Sequence, residues 1–169
     1  QHVISFITKF ERNFLVKFSD QSYELLICLI EIILLREKKG KFKACTLDPL
    51  VQKTNEWHFI VDYFKSKPNI EKSVLQWLTI IFLSSNIYDK SDFRLSEDEL
   101  ELLKLIHEMV ENFKTKTFIT IKNQSDYEYH LLNHIRPACF RIKFNLPSEV
   151  DQLDAIDDSK QKTLTQIIR

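Results

Sequence analysis

Gly40 is the only glycine in this chain of 169 residues, and that scarcity restricts the accessible folds more than any other feature. Phosphate-cradling loops and dinucleotide-binding turns need several glycines at fixed spacing, because only glycine lets backbone approach an anion closely or turn at positive φ. A single glycine therefore excludes P-loops, dinucleotide fingerprints and kinase-type glycine loops. Tight β-hairpins favour the same residue, so a sandwich or barrel of short strands is excluded as well. The expected fold class is all-α, a helical bundle.

Apolar residues make up 44% of the chain, enough to bury a core in one domain or two small ones. Lys plus Arg equal Asp plus Glu at 24 each. A chain with that balance lacks the basic face that neutralises nucleic-acid phosphates, so it is not expected to hold DNA by itself. Cys28, Cys45 and Cys139 are odd in number and contain no CxxC pair, which fits neither a disulfide framework nor a zinc site. A reducing, cytoplasmic setting follows as the expectation. The chain starts with Gln1 and carries no signal-peptide pattern, as expected of a piece of a longer protein.

Hydrophobic spacing divides the chain into helices. Val3, Phe6, Ile7, Phe10, Phe14 and Phe18 recur at steps of three or four, predicting a helix over residues 3 to 18. Residues 23 to 37 are apolar almost all round, as in a helix at the centre of a bundle. Their apolar runs are too short to span a membrane, and Glu31 and Arg36 would be costly in one. Lys38-Lys39-Gly40-Lys41 closes that helix. Asp48-Pro49 reads as an N-cap and first-turn proline, opening a helix that continues through Trp57 and Phe64 to a stop at Lys67-Pro68.

A third apolar helix covers residues 71 to 85, with Trp77 in it; both tryptophans read as core. The polar stretch from Tyr88 to Leu95 is the expected boundary. Ser96 with Glu99 forms a capping-box pattern that opens an amphipathic helix through Phe113, and the acids Glu97, Asp98 and Glu99 suit its first turn. Residues 117 to 122 alternate as in an extended segment or short strand. Ser125 with Glu128 repeats the capping-box pattern before a helix from Tyr127 to Lys143, and a short helix is expected near Leu164 to Ile168.

An internal repeat organises these elements. Aligning Arg36 with Arg141, an offset of 105 residues, places Leu26 on Leu131, Leu29 on His134, Ile30 on Ile135 and Gly40 on Asn145. The helix order matches, and the loop before the aligned helix is about six residues longer in the second copy, where duplicated units ordinarily diverge. The expected organisation is a complete unit over residues 1 to 90 and the first half of another over residues 91 to 169.

Candidate chemistry is sparse. His2, His58, His107, His130 and His134 include no HExxH pair. His130 and His134 sit at i and i+4 on one helical face, a geometry in which two imidazoles can share a metal, so a metal-binding bundle or enzyme is one reading of that helix. A purely structural interaction module is another. No serine or cysteine has the surroundings of a nucleophile, and no cofactor is expected.

The stretch His134-Ile135-Arg136-Pro137-Ala138-Cys139-Phe140-Arg141-Ile142 resembles the opening of the PRD, the phosphotransferase-system regulation domain, which reads roughly His-Leu-x-Pro-Ala-x-x-Arg-Leu. The segment Gln76 to Ser85 is similar to the last helix of a preceding PRD, and Tyr23 to Phe42 to its first long helix. The resemblance implies tandem PRD-like helical bundles from a bacterial regulator, of the Mga-like branch among antiterminators and activators of the BglG, Mga and AtxA types. It implies no enzymatic activity. It implies that His134 accepts phosphate, with Arg141 and His130 beside it. Homodimerisation, phosphotransferase-system phosphocarrier partners and DNA binding through a separate domain follow from the same resemblance. In the first copy Leu29 stands at the acceptor position, so that copy is not expected to be phosphorylated there.

Overall fold

The computed structural model describes residues 2–40, 45–66, 70–90 and 95–147. The chain is an all-α helical bundle with one short two-stranded pairing. Helix α1 (His2–Phe14) buries Phe6, Ile7, Phe10 and Glu11. It ends four residues earlier than the spacing predicts, because Leu15 turns the chain at φ 50°. Strand β1 (Val16–Phe18) follows, and buried Glu11 anchors it, accepting from the Phe18 amide at 3.3 Å and the Lys17 ammonium at 3.1 Å. Its partner is β2 (Ile87–Lys90), antiparallel, with Val16 opposite Lys90. This pairing joins the two ends of the first unit.

Helix α2 (Asp20–Lys38) starts at Ser19, whose hydroxyl accepts from the Ser22 amide at 3.2 Å. Only Ser22, Leu26 and Ile30 of it are buried, and Leu35 is 53% exposed, so α2 is not the central helix its composition suggests. That place belongs to α5 (Lys72–Leu83), which buries ten of its twelve residues and packs against α2, α4 and α7. Asp48 caps α3 (Pro49–Gln52) as expected, accepting from the Leu50 amide at 2.8 Å. The expected continuous helix is broken, however, because buried Thr54 donates to the Val51 carbonyl at 2.7 Å and accepts from the Trp57 amide at 3.2 Å. Thr54 thereby caps a separate helix, α4 (Asn55–Phe64). Lys67 and Pro68 lie outside the described residues.

Phenylalanines weld these elements together. Phe82 stacks on Phe10 at 4.1 Å between centroids and meets Phe6 edge-on at 5.4 Å, while Phe59 contacts Phe10 and Phe14.

Helices α6 (Glu97–Thr117) and α7 (Gln124–Lys143) form a hairpin. The capping box at Ser96 is present: the Glu99 carboxylate accepts from the Ser96 amide at 2.9 Å. The second one is absent. Asn123 occupies the N-cap at φ 52°, Ser125 lies inside α7, and Glu128 instead accepts from Gln124 Nε2 at 2.7 Å and sits 2.9 Å from His107 Nδ1. Residues 118 to 121 form no strand; Phe118 ends α6 in the left-handed region at φ 57°. The acidic stretch beyond Pro147 and the helix expected near Leu164 lie outside the described residues.

The hairpin buries Ile106, Val110 and Leu132 in a small core of its own. The C-terminal part of α7 leaves it: Phe140 joins the main core, with Phe144 and Leu146 packed against it. The boundary expected at residue 90 thus separates helices but not cores. Helices α2 and α7 end alike. Gly40 lies at φ 60° with its amide on the Glu37 carbonyl, and Asn145 at φ 51° with its amide on Ile142, followed by Leu146 on Arg141. Their buried faces differ, since alignment on Arg36 and Arg141 pairs buried Leu26 and Ile30 with half-buried Leu131 and Ile135 rather than with Leu132 and Arg136. One residue is 100° of helix rotation, so the likeness holds for helix order and helix ends, not for the packed face.

A Cβ at Gly40 would meet nothing within 4 Å, so Gly40→Ala carries a backbone cost alone. Urea unfolding should show a loss of about 1 kcal/mol, whereas Asn145→Gly should gain several tenths of a kcal/mol.

Candidate functional site

Helix α7 carries His130, His134 and Arg141, and its buried face is a different one. Steps of four place Glu128, Leu132, Arg136 and Phe140 inward, and all four are buried. His130 and His134 face outward, exposed, and neither makes a hydrogen bond among the described residues. Also among the described residues, no group of three or more His, Cys, Asp or Glu side chains is arranged to hold a metal ion. The pair His130 and His134 therefore gains no third ligand there.

Arg141 does not serve His134. Its Nη1 donates to the Ser84 carbonyl at 2.6 Å and to Asn86 Oδ1 at 3.2 Å. Ser84 is the C-cap of α5, where unpaired carbonyls concentrate negative potential, and that potential holds the guanidinium. Arg141, expected beside His134, clasps α7 to the end of α5. Lys143 makes a second clasp, with its ammonium 3.0 Å from Asp48 Oδ2. Burial alone would raise the Asp48 carboxyl; Lys143 and the Leu50 and Val51 amides outweigh it and hold Asp48 below the ordinary carboxylate range.

The third clasp is the centre of the site, and sequence reasoning missed it. Buried Arg136 donates through Nη1 and Nη2 to both Glu56 oxygens, at 2.7 and 3.2 Å, and through Nε to Asp98 Oδ2 at 2.8 Å. Glu99 Oε1 lies 3.7 Å from Nη1, and the guanidinium carbon stands 5.7 Å from the Phe140 ring centroid. Burial disfavours the charged guanidinium, but Glu56 and the carboxylates beside it more than offset this and raise its pKa. Burial likewise pushes Asp98 up, while Arg136 and the Ser96 hydroxyl pull it further down, leaving it below the usual range. One arginine thus joins α4 of the first unit to the start of α6, among three carboxylates. The signal for it was the four-residue step Leu132, Arg136, Phe140, which places a cation between two apolar residues of the buried face.

Pro137 adds a local irregularity. It has no amide hydrogen, so the Asn133 carbonyl lacks its i+4 donor within the helix. Both residues line a cavity of about 580 Å3 between α1, α4 and α7, walled by Phe10, Phe14, Phe59 and Phe82 and closed on one side by Glu56 and Arg136. Because the guanidinium is already engaged by carboxylates, Arg136 is a structural tie rather than an anion-binding group.

No helix among the described residues is long and apolar enough to cross a membrane. Comparison with protein-family models, curated proteins and solved structures found no match to this chain.

Proposed function

We propose that this chain is a non-enzymatic regulatory module of a cytoplasmic bacterial transcription regulator, in which His134 accepts a phosphoryl group from sugar phosphotransferase components and the module self-associates. The observation that carries the reading is the exposure of His134 on a helix that Arg136, Arg141 and Lys143 clasp to the first unit. A donor protein can reach an exposed imidazole. Modification on a clasped helix then acts on the packing of both cores.

In the transfer, the unprotonated ring nitrogen of His134 attacks phosphorus, the donor's N–P bond breaks with its electron pair going to the donor nitrogen, and the proton from the other His134 ring nitrogen is passed to that donor nitrogen. The modified ring carries roughly two negative charges. Two residues away, Glu56 and Asp98 share the one guanidinium of Arg136 among the described residues, so added negative charge weakens the clasp. The output belongs to a separate DNA-binding domain of the parent protein. The equal numbers of acidic and basic residues here agree with that division of labour.

Incubation with phosphorylated phosphocarrier proteins should place an acid-labile label on the wild type and on His130→Ala, and none on His134→Ala. Because His134 is exposed, its replacement should change stability by less than about 0.5 kcal/mol, so loss of label is not loss of fold. A wild-type chain that takes no label, or a His134→Ala chain that takes it fully, would leave the structural-module reading in place.

A further inference from the structure

The cavity between α1, α4 and α7 has the size of a small-molecule site, at about 580 Å3. Steps of three and four residues bring Phe10 and Phe14 of α1, Phe59 and Asp62 of α4, and Asn133 and Pro137 of α7 to its lining. Phe14 and Phe59 are only half-buried and meet at 72° with ring centroids 5.6 Å apart, so they form adjoining aromatic walls. The negative face of such a ring attracts a cation.

The polar groups of the lining favour the same sign of ligand. Asp62 stands one turn from Phe59 at the exposed rim, and its carboxylate has no partner among the described residues. The Asn133 carbonyl lacks its donor within α7 because residue 137 is proline, which leaves a second acceptor on a residue of the lining. Arg136 carries the one permanent positive charge among the described lining residues, and Glu56 and Asp98 already hold it. An anion entering the cavity would meet Asp62 with only the exposed imidazole of His58 to offset it.

We propose that this cavity binds a small organic ammonium ion, with its apolar body against Phe14 and Phe59 and its charge on Asp62. The Asn133 carbonyl offers an N–H group of that ion a further acceptor. A neutral molecule of the same shape gains the apolar contact but neither the attraction to the rings nor that to the carboxylate. A ligand so placed touches α1, α4 and α7 together, so its binding stabilises the packing that Arg136 also ties. The inference goes beyond the proposed function and depends neither on phosphorylation of His134 nor on self-association.

The test is titration of the isotope-labelled full chain with phenethylammonium, phenethyl alcohol and phenylacetate, followed by amide NMR shifts. The ammonium ion should give saturable shifts at Phe14, Phe59 and Asn133 with a dissociation constant of about a millimolar, ordinary for a ligand of so few atoms. Phenethyl alcohol should bind at least about threefold more weakly, and phenylacetate more weakly still. Asp62→Asn, at an exposed position where the fold tolerates change, should weaken the ammonium ion at least about threefold and leave the alcohol within about twofold of its wild-type affinity. Four results would each overturn the cavity as an ammonium site: no saturable shift, shifts confined to residues outside the lining, either other probe binding as tightly as the ammonium ion, or Asp62→Asn binding that ion as the wild type does.

Discussion

Arg136→Ala should cost about 3–5 kcal/mol of folding stability, a large share of the roughly 5–15 kcal/mol that holds a domain folded. The cost arises less from the lost attraction than from what is left behind. Glu56 and Asp98 have side chains only 12% and 17% exposed, and without the guanidinium each loses the cation it bonds. The variant should also respond to pH in the opposite sense from wild type. In the wild type Asp98 titrates below its ordinary value, so its stabilisation is complete above about pH 4 and is lost as pH falls through the lower folded value. In Arg136→Ala, loss of that cation leaves burial to raise the Asp98 carboxyl above its unfolded value. Its stability should therefore fall as pH rises from about 4 towards 7.

Urea midpoints measured across that range decide the matter. A variant whose stability loss is the same at pH 4.5 and pH 7, values that bracket the rise expected for carboxyls near 4, would show that the carboxylates do not depend on Arg136. Adding Glu56→Gln and Asp98→Asn to Arg136→Ala should recover a substantial part of the loss, because the uncompensated charge is removed along with its partner.

Phe82→Ala should be the next most damaging single change, at about 3 kcal/mol or more. Phe82 is 3% exposed and touches Phe6, Phe10 and Phe18, so its ring joins α5 to both α1 and β1. It also lines the cavity between α1, α4 and α7, so the space left by truncation joins a cavity already present. That places the cost near the lower end of the range for a buried phenylalanine rather than the upper. Phe82→Leu should lose less than half as much, since it keeps most of the apolar volume. In urea, both variants should shift the midpoint without changing the slope; a smaller slope would mean the aromatic cluster survives in the unfolded state.

Much of the helical pattern was legible because its signals are local. The Ser96–Glu99 box, the Asp48–Pro49 start, the left-handed positions at Gly40 and Asn145 and the apolar run of α5 each involve residues within a turn or two of one another. Local signals misled where two of them competed. Thr54 caps a new helix inside an unbroken apolar period, and Asn123 takes the cap that Ser125 and Glu128 were expected to form. At both positions a short polar side chain satisfies free helix-end amides or turns the backbone, and periodicity carries no record of that.

The histidines of the candidate site were found, but their surroundings were not. The resemblance placed Arg141 beside His134; the Arg141 side chain goes to the carbonyl ending α5, because a helix C-terminus attracts a cation more strongly than an exposed imidazole does. The role of Arg136 was invisible for a related reason, since its partners lie 80 and 38 residues away.

The sequence by itself determined that the chain is helical and, at Asp48 and Ser96, where helices begin, because glycine scarcity, caps and period act within a few residues. Only the tertiary structure decided that β1 pairs with β2, that α7 divides its packing between two cores, and that Arg136 is their tie. Those contacts join residues dozens of positions apart, and their free energy comes from burial and charge neutralisation that exist only once the helices meet.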